Sequence, residues 1–197
     1  MRPALAALAL IAVPVVAQTP GQPNPALVRA GTYRVDPNHT QVTWRVNHMG
    51  FSMLQGQFGA SGGTLTLDPA RPQATKLDVA FDTAALSTTS APFSNHLKSA
   101  DFFDVAKYPT ARFVSRSVEV RGNGATITGD LTIKDRTRPV TLQAEFVGAG
   151  ANPRGGKLNF GFRATGRINR SDFGVGMAAP VVSDAVDLEI NAAFEKA

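Results

Sequence analysis

Apolar residues recur at every second position through most of the chain. In residues 40–48, Val42, Trp44 and Val46 share one face, and Thr43, Arg45 and Asn47 take the other. The same alternation places Leu65 and Leu67 together in 64–67, and Leu77, Val79 and Phe81 together in 76–82. It returns with Ile127, Leu131 and Ile133 in 125–134, and with Val140, Leu142, Ala144 and Phe146 in 140–146. Residues 157–169 carry Leu158, Phe160, Phe162, Ala164, Gly166 and Ile168 in one phase. Residues 183–195 carry Val186, Leu188, Ile190, Ala192 and Phe194. Alternation this sustained predicts antiparallel strands with one buried and one solvated face. In 113–120 the phase breaks, since Phe113 fits one face and Val118 and Val120 the other. A bulge near 115–117 reconciles them.

Turn-forming residues separate these runs at Asp68-Pro69, at 121–124, at 134–138 and at 152–156. One segment departs from the strand rhythm. Residues 91–109 (APFSNHLKSADFFDVAKYP) set Phe93, Leu97, Phe102 and Phe103 on one side. Pro92 or Ser94 suits a helix start and Pro109 forbids continuation, which predicts a helix of two or three turns lying on the sheet. About eight strands and one short helix make an all-β fold. One-sided apolar strands build either a sandwich or a closed barrel. Strands of 10–13 residues are long for a small sandwich, and Gly129 and Gly166 inside strands suit the bends of closure. The expected architecture is an eight-stranded antiparallel barrel, wide enough to hold one small ligand.

Residues 1–17 stand apart. Arg2 precedes an apolar run from Ala4 to Val16, and Val15, Val16 and Ala17 form a small-residue cleavage pattern. That reads as a secretory signal peptide, too short for a comfortable membrane span. Residues 18–30, rich in proline, read as an irregular lead-in, and 31–197 as the barrel. The expected product is exported, with the periplasm its simplest destination. The chain of 197 residues has 20 Lys and Arg against 15 Asp and Glu, spread singly. This mild excess suits a solvated surface and gives no nucleic-acid stripe. The absence of cysteine excludes a disulfide framework, thiolate metal sites, iron–sulfur clusters and a Cys nucleophile.

Several blocks carry a family resemblance: 31–40 (GTYRVDPNHT), the V-x-W-x-V-x-H-M-G-F run of 42–51, and 56–63. HLKSADFFDVAKYPTARF at 96–113, GDLTIKDRTRP at 129–139, RSDFG at 170–174 and VSDAVDLEI at 182–190 continue it. In order from about Gly31 to the C-terminus, the chain resembles the YceI family of exported polyisoprenoid-binding proteins. The resemblance implies a lipocalin-like barrel whose pore takes a long isoprenoid chain, a quinone tail or polyprenyl lipid. It implies no catalytic residues and no cofactor beyond that bound lipid. Thr40, Asp135-Arg136 and Thr88-Thr89 depart from common family residues near strand ends.

By periodicity alone the inward residues fill a packed core. The resemblance makes them, as a set, the wall of a lipid tunnel. Val42, Trp44, Val46 and His48 then line it from one strand, and Val79, Phe81 and Phe113 from others. Leu131, Ile133, Leu142, Phe146, Phe160, Phe162, Leu188 and Ile190 complete the strand set. Phe93, Phe102 and Phe173 join from connections. The three histidines, His39, His48 and His96, lack metal-ligand spacing. His48 is in phase with the inner face and suits a tunnel-mouth contact or a structural bond. Arg170 or Asp172 would greet a head group at the rim. The plainer reading is a turn in which Asp172 bonds its own backbone and Gly174 takes positive φ. Asp101 and Asp104, at the end of the helix, read as turn caps. No nucleophile motif is present, so a binding protein is expected rather than an enzyme.

The leading expectation is a lipid carrier or store. Its alternatives are a filled-core exported module and a barrel for another amphiphile, such as a fatty amide. An outer-membrane barrel would turn the apolar face outward. A quinone cargo would bring membrane or respiratory proteins as transient neighbours, and a homodimer stays open.

Overall fold

The computed structural model describes residues 19–197. The expected signal peptide lies outside the described residues. Nine strands run β1 (Gly31–Val35), β2 (Gln41–His48), β3 (Ser52–Leu67), β4 (Lys76–Asp82), β5 (Thr110–Arg121), β6 (Gly124–Ile133), β7 (Arg136–Ala151), β8 (Leu158–Asn169) and β9 (Ala185–Lys196). One helix, α1 (Ala91–Lys98), lies between β4 and β5. From β2 to β9 each strand pairs antiparallel with its successor, and β9 returns to β2, closing the barrel. β1 and β2 both pair with β3 and β9, at different levels. They form one broken stave, so the nine segments build an eight-stranded antiparallel barrel.

At the break, the hydroxyl of Thr40 takes over the ladder. It donates to the Ala193 carbonyl at 3.2 Å and accepts from the Ala193 amide at 3.0 Å. Thr40 is buried, so these bonds satisfy groups that would otherwise be costly to leave unpaired. The expected bulge in β5 occurs between Ser115 and Ser117. There the Ser115 hydroxyl accepts the Leu77 amide at 2.8 Å. β3 is far longer than the expected run at 64–67, because the part before it (SMLQGQFGASGG) has no alternation to read. Glycines inside the strands make room for neighbouring side chains. A Cβ on Gly56 would lie 2.4 Å from the Trp44 ring, and one on Gly166 2.6 Å from Leu142 Cδ2.

The outer wall is polar. Arg112 pairs with Asp78, Arg116 with Asp130 at 2.7 Å, Arg167 with Asp187 at 2.6 Å, and Arg163 with Glu189 at 3.0 Å. The apolar face of the strands therefore points inward, the reverse of an outer-membrane barrel. Among the described residues no helix is long and apolar enough to cross a membrane.

The helix has eight residues, about two turns, at the start of the 91–109 segment. Ser90 caps it, accepting the Phe93 amide at 3.4 Å, and Pro92 sits in its first turn. After Lys98 the chain folds into turns. Asp104 adopts φ 50°, and its carbonyl accepts the Lys107 and Tyr108 amides. Those turns are closed by backbone groups, not by the carboxylates expected to cap them. The lead-in is mostly irregular, with a single turn at Pro25–Leu27. Its Gln22 exchanges two backbone bonds of 2.9 Å with Ala149, on the edge of β7 beyond the start of β6. That covers an edge which would otherwise invite pairing.

Candidate ligand tunnel

The interior has two parts. At one end the rings of Tyr33, Phe146, Phe160, Phe162 and Phe194 meet with centroids 4.6–6.2 Å apart. They come from four staves at one level, since Phe160 is the cross-strand partner of Phe194 and Phe162 of Phe146. Tyr33 is fully buried, its hydroxyl donating to the Arg29 carbonyl at 2.6 Å. Val28 from the lead-in completes this plug.

Above the plug lies a cavity of about 630 Å³. Its walls are Val42, Trp44 and Val46 of β2, Leu188 and Ile190 of β9, Val79 and Phe81 of β4, and Phe113 of β5. Leu131, Ile133 and Leu142 close the far side, and Phe194 forms part of the floor. Most of these side chains are aliphatic and too short to meet across an eight-stranded barrel, and the rings of Trp44 and Phe113 lie over Gly56 and Gly129 of the neighbouring strands. A space therefore remains, lined almost wholly by carbon.

The mouth is covered by two segments. Phe93, Leu97, Phe102 and Phe103, from α1 and the turns after it, pack with Trp44, Val46, Leu54 and Phe58. Phe58 and Phe103 meet edge to face at 5.2 Å. On the other side Phe173 and Val175, between β8 and β9, pack with Phe113, Val140 and Leu142. The ammonium of Lys134, in the β6–β7 turn, donates to the Phe102 carbonyl at 2.9 Å and the Gly174 carbonyl at 3.3 Å. One side chain thus ties the two covers together.

Arg170 builds the second cover. The residue is 8% exposed, and its guanidinium donates to four carbonyls, of Ser183, Val175, Met177 and Val182, at 2.6–2.9 Å. Burial pushes its pKa below the ordinary arginine value, with Asp184 acting in the opposite direction. Arg170 is thus the inner frame of loop 175–183, whose residues Val175, Met177, Ala178 and Val182 line the cavity. Gly174 takes φ 72°, as the turn reading required. Asp172 does not make the expected bond. Asp184 holds the turn instead, accepting the Ser171 amide at 2.8 Å and its hydroxyl at 2.6 Å.

The polar lining groups other than Thr40 belong to the mouth: His48, Thr83, Ser90, His96 and Arg170. Thr83 donates to the Tyr108 carbonyl at 2.7 Å. His96 packs edge-on against Phe102 at 5.1 Å and lies 3.6 Å from Asp101. His39 is on the outside, 2.6 Å from Asp36. Among the described residues no three His, Asp or Glu side chains gather as metal ligands.

Fifteen of the eighteen residues expected in the tunnel wall line the cavity. Phe146, Phe160 and Phe162 do not. They share the inward phase but sit one level lower, where rings from adjacent staves touch and fill the bore. Phe58, Phe103 and the loop residues Val175, Met177 and Val182 line the cavity without having been expected there. Phe58 lies in the glycine-rich half of β3, where alternation is absent. The loop residues carry no periodic signal.

The chain matches the YceI-like domain model over residues 33–194. It is 42% identical over 164 residues to Protein YceI of Escherichia coli, covering 82% of this chain and 85% of that one. The fold is similar to BcnA of Burkholderia cenocepacia, with TM-score 0.69 and 26% identity, over 81% of this chain and 98% of that one. It is also similar to a polyisoprenoid binding domain from Saccharophagus degradans implicated in plant cell wall breakdown. There the TM-score is 0.60 and the identity 12%, over 84% of this chain and 98% of that one.

Proposed function

The chain belongs to the YceI-like family, and on that premise we propose that it is an exported lipid-binding protein whose tunnel holds a long isoprenoid chain for carriage or storage. The observation that supports this most directly is the blind, carbon-lined cavity of about 630 Å³, whose polar lining groups apart from Thr40 lie at one end. Such a site suits a molecule that is apolar for most of its length and polar at its tip. The volume lies within the ~300–1,000 Å³ usual for small-molecule sites. At ~30 Å³ per methylene-sized group, the share of a water molecule in the liquid, it accommodates about twenty carbons. Each buried methylene contributes about 0.8 kcal/mol gross, against the several kcal/mol that association and chain ordering cost. Tight binding therefore needs no specific polar contact.

The Saccharophagus degradans domain of this fold is a polyisoprenoid binder, which favours an isoprenoid among amphiphiles. A fatty amide would fit the same walls. A filled-core module fits less well, because its interior would leave no such space. The tunnel reading needs no metal or cofactor. It assigns the protein a binding role rather than catalysis, since the buried hydroxyls and Arg170 are committed to backbone groups. The signal-peptide pattern of residues 1–17 supports a periplasmic location.

The test is detergent-free purification followed by lipid extraction and mass spectrometry, beside an unrelated exported protein. A near-stoichiometric quinone or polyprenyl species found only with this protein is expected. An empty extract from a host rich in such lipids overturns the reading.

A further inference from the structure

Large exposed apolar side chains are not scattered evenly over this barrel. Among the described residues, five of the eight lie on two adjoining segments at the mouth end: Met49, Phe51 and Met53 on the β2–β3 hairpin, and Met177 and Val181 on loop 175–183. The segments touch through the backbone. His48 bridges Val182, and the Ser183 amide donates to the Asn47 carbonyl at 2.9 Å. The hairpin tip is a defined turn. Met49 and Gly50 take φ 60° and 75°, the type I′ pattern, and the Phe51 amide donates to the His48 carbonyl at 3.0 Å. The Asn47 carboxamide oxygen accepts the Gly50 amide at 2.7 Å. This turn presents the Phe51 ring 85% exposed, where it contributes nothing to the fold.

Charge points the same way. From Pro37 to Leu67 the sequence contains no Asp or Glu, and from Phe173 to Ser183 it contains no charged residue. The patch has no carboxylate of its own to desolvate, and nothing on it repels anionic headgroups. It is also continuous with the tunnel, because His48, Met177, Ala178 and Val182 line the cavity from behind it. We propose that the β2–β3 tip and loop 175–183 form a bilayer-docking surface, which seats the tunnel mouth on a lipid membrane so that cargo moves between bilayer and barrel without crossing water. This rests on the lipid-binding reading for its purpose, though not for its geometry. Exposed apolar patches of this kind mark interaction sites, and shallow insertion of aromatic and aliphatic side chains is how peripheral proteins bind the interface.

Vesicle flotation tests it, using the purified protein with phosphatidylethanolamine and phosphatidylglycerol vesicles. The wild type is expected to float with the vesicles. Phe51→Ser, and Phe51→Ser with Val181→Ser, are expected to lower the bound fraction at least tenfold, since each ring or branched chain leaves an apolar phase. Neither residue is packed, so the folded state persists. As a second readout, emission from the Phe51→Trp variant shifts to the blue on vesicle addition, while the buried Trp44 of the wild type does not respond. Equal flotation of wild type and variants, or emission from the Phe51→Trp variant that vesicles leave unchanged, overturns the proposal. A patch covered by a second copy of the chain would instead give a dimer that Phe51→Ser converts to monomer without vesicle binding, which also overturns it. Lipid extraction on the same samples separates the two readings. Docking that depends on Phe51 in a protein that never carries lipid sustains the surface and removes the cargo.

Discussion

The two ends of the barrel interior have the same one-dimensional pattern and opposite contents. At the plug, Phe160, Phe162, Phe146, Phe194 and Tyr33 arrive at one level from neighbouring staves and touch ring to ring. At the mouth, Val42, Val46, Leu131, Leu188 and Ile190 occupy equivalent inward positions and leave about 630 Å³ between them. Eight strands enclose a bore just wide enough for large side chains to fill. Whether a level is solid or hollow therefore depends on side-chain reach, not on hydrophobicity. The plug also draws on a segment outside the barrel, since the lead-in contributes Val28.

The sharpest way to break this contrast is to truncate one residue at each level. Phe160→Ala removes a 3% exposed ring with aromatic partners on several sides and is expected to cost about 3–5 kcal/mol in urea unfolding. Leu131→Ala, on the wall of a space that already exists, is expected to cost clearly less. Equal losses would mean that the wall is as tightly packed as the plug.

A second test concerns the mouth. Arg170→Met keeps much of the side-chain volume but leaves four carbonyls without their donor. A loss of about 1–3 kcal/mol follows from unpaired buried acceptors. Faster amide exchange is expected in residues 175–183, with β8 and β9 little changed. Uniform loss of protection across the barrel would show Arg170 to be part of the global core rather than the frame of one cover.

Filling the hollow level should turn it into a second plug. Ile190→Trp places a ring in the cavity and is expected to reduce co-purifying lipid about tenfold, equivalent to ~1.4 kcal/mol, with thermal stability held or raised. Retained lipid would place the cargo elsewhere. The smallest effect lies on the outer wall, away from both levels. Hydrogen bonds from Arg112 and Arg167 hold the Asp78 and Asp187 carboxyls below their ordinary pKa. Their contribution is therefore present above the unfolded carboxylate value near pH 4 and is lost as pH falls through the lower folded values. Because these pairs are exposed, the loss should be shallow and weakened by salt. Acid titration followed by circular dichroism checks this, and a sharp transition near neutrality would contradict it.

Most of the strand set was legible because period-two alternation survives wherever one face meets an interior and the other meets water. The β5 bulge was legible for the same reason, as a break in phase between Phe113 and Val118. β1 and residues 52–63 of β3 were not. β1 is only five residues long, and Gly56, Gly59, Gly62 and Gly63 replace the side chains that would carry the pattern. In loop 170–184 the turn at Gly174 was legible from its residue types. The inward turn of Arg170 was not, since a lone arginine before a polar turn reads as surface.

The order of residues along each strand already set which of its faces is apolar, and hence an antiparallel β-fold turned inward on itself. It determined the bulge, the short helix and the polar outer wall, because these follow from local periodicity and turn chemistry. The level at which each inward residue sits was set by the closing of the barrel. Cross-strand register, not phase, brings Phe160 opposite Phe194 and Phe162 opposite Phe146, and leaves shorter side chains facing one another above them. Register is a relation between distant segments, and a pattern read along one strand does not contain it.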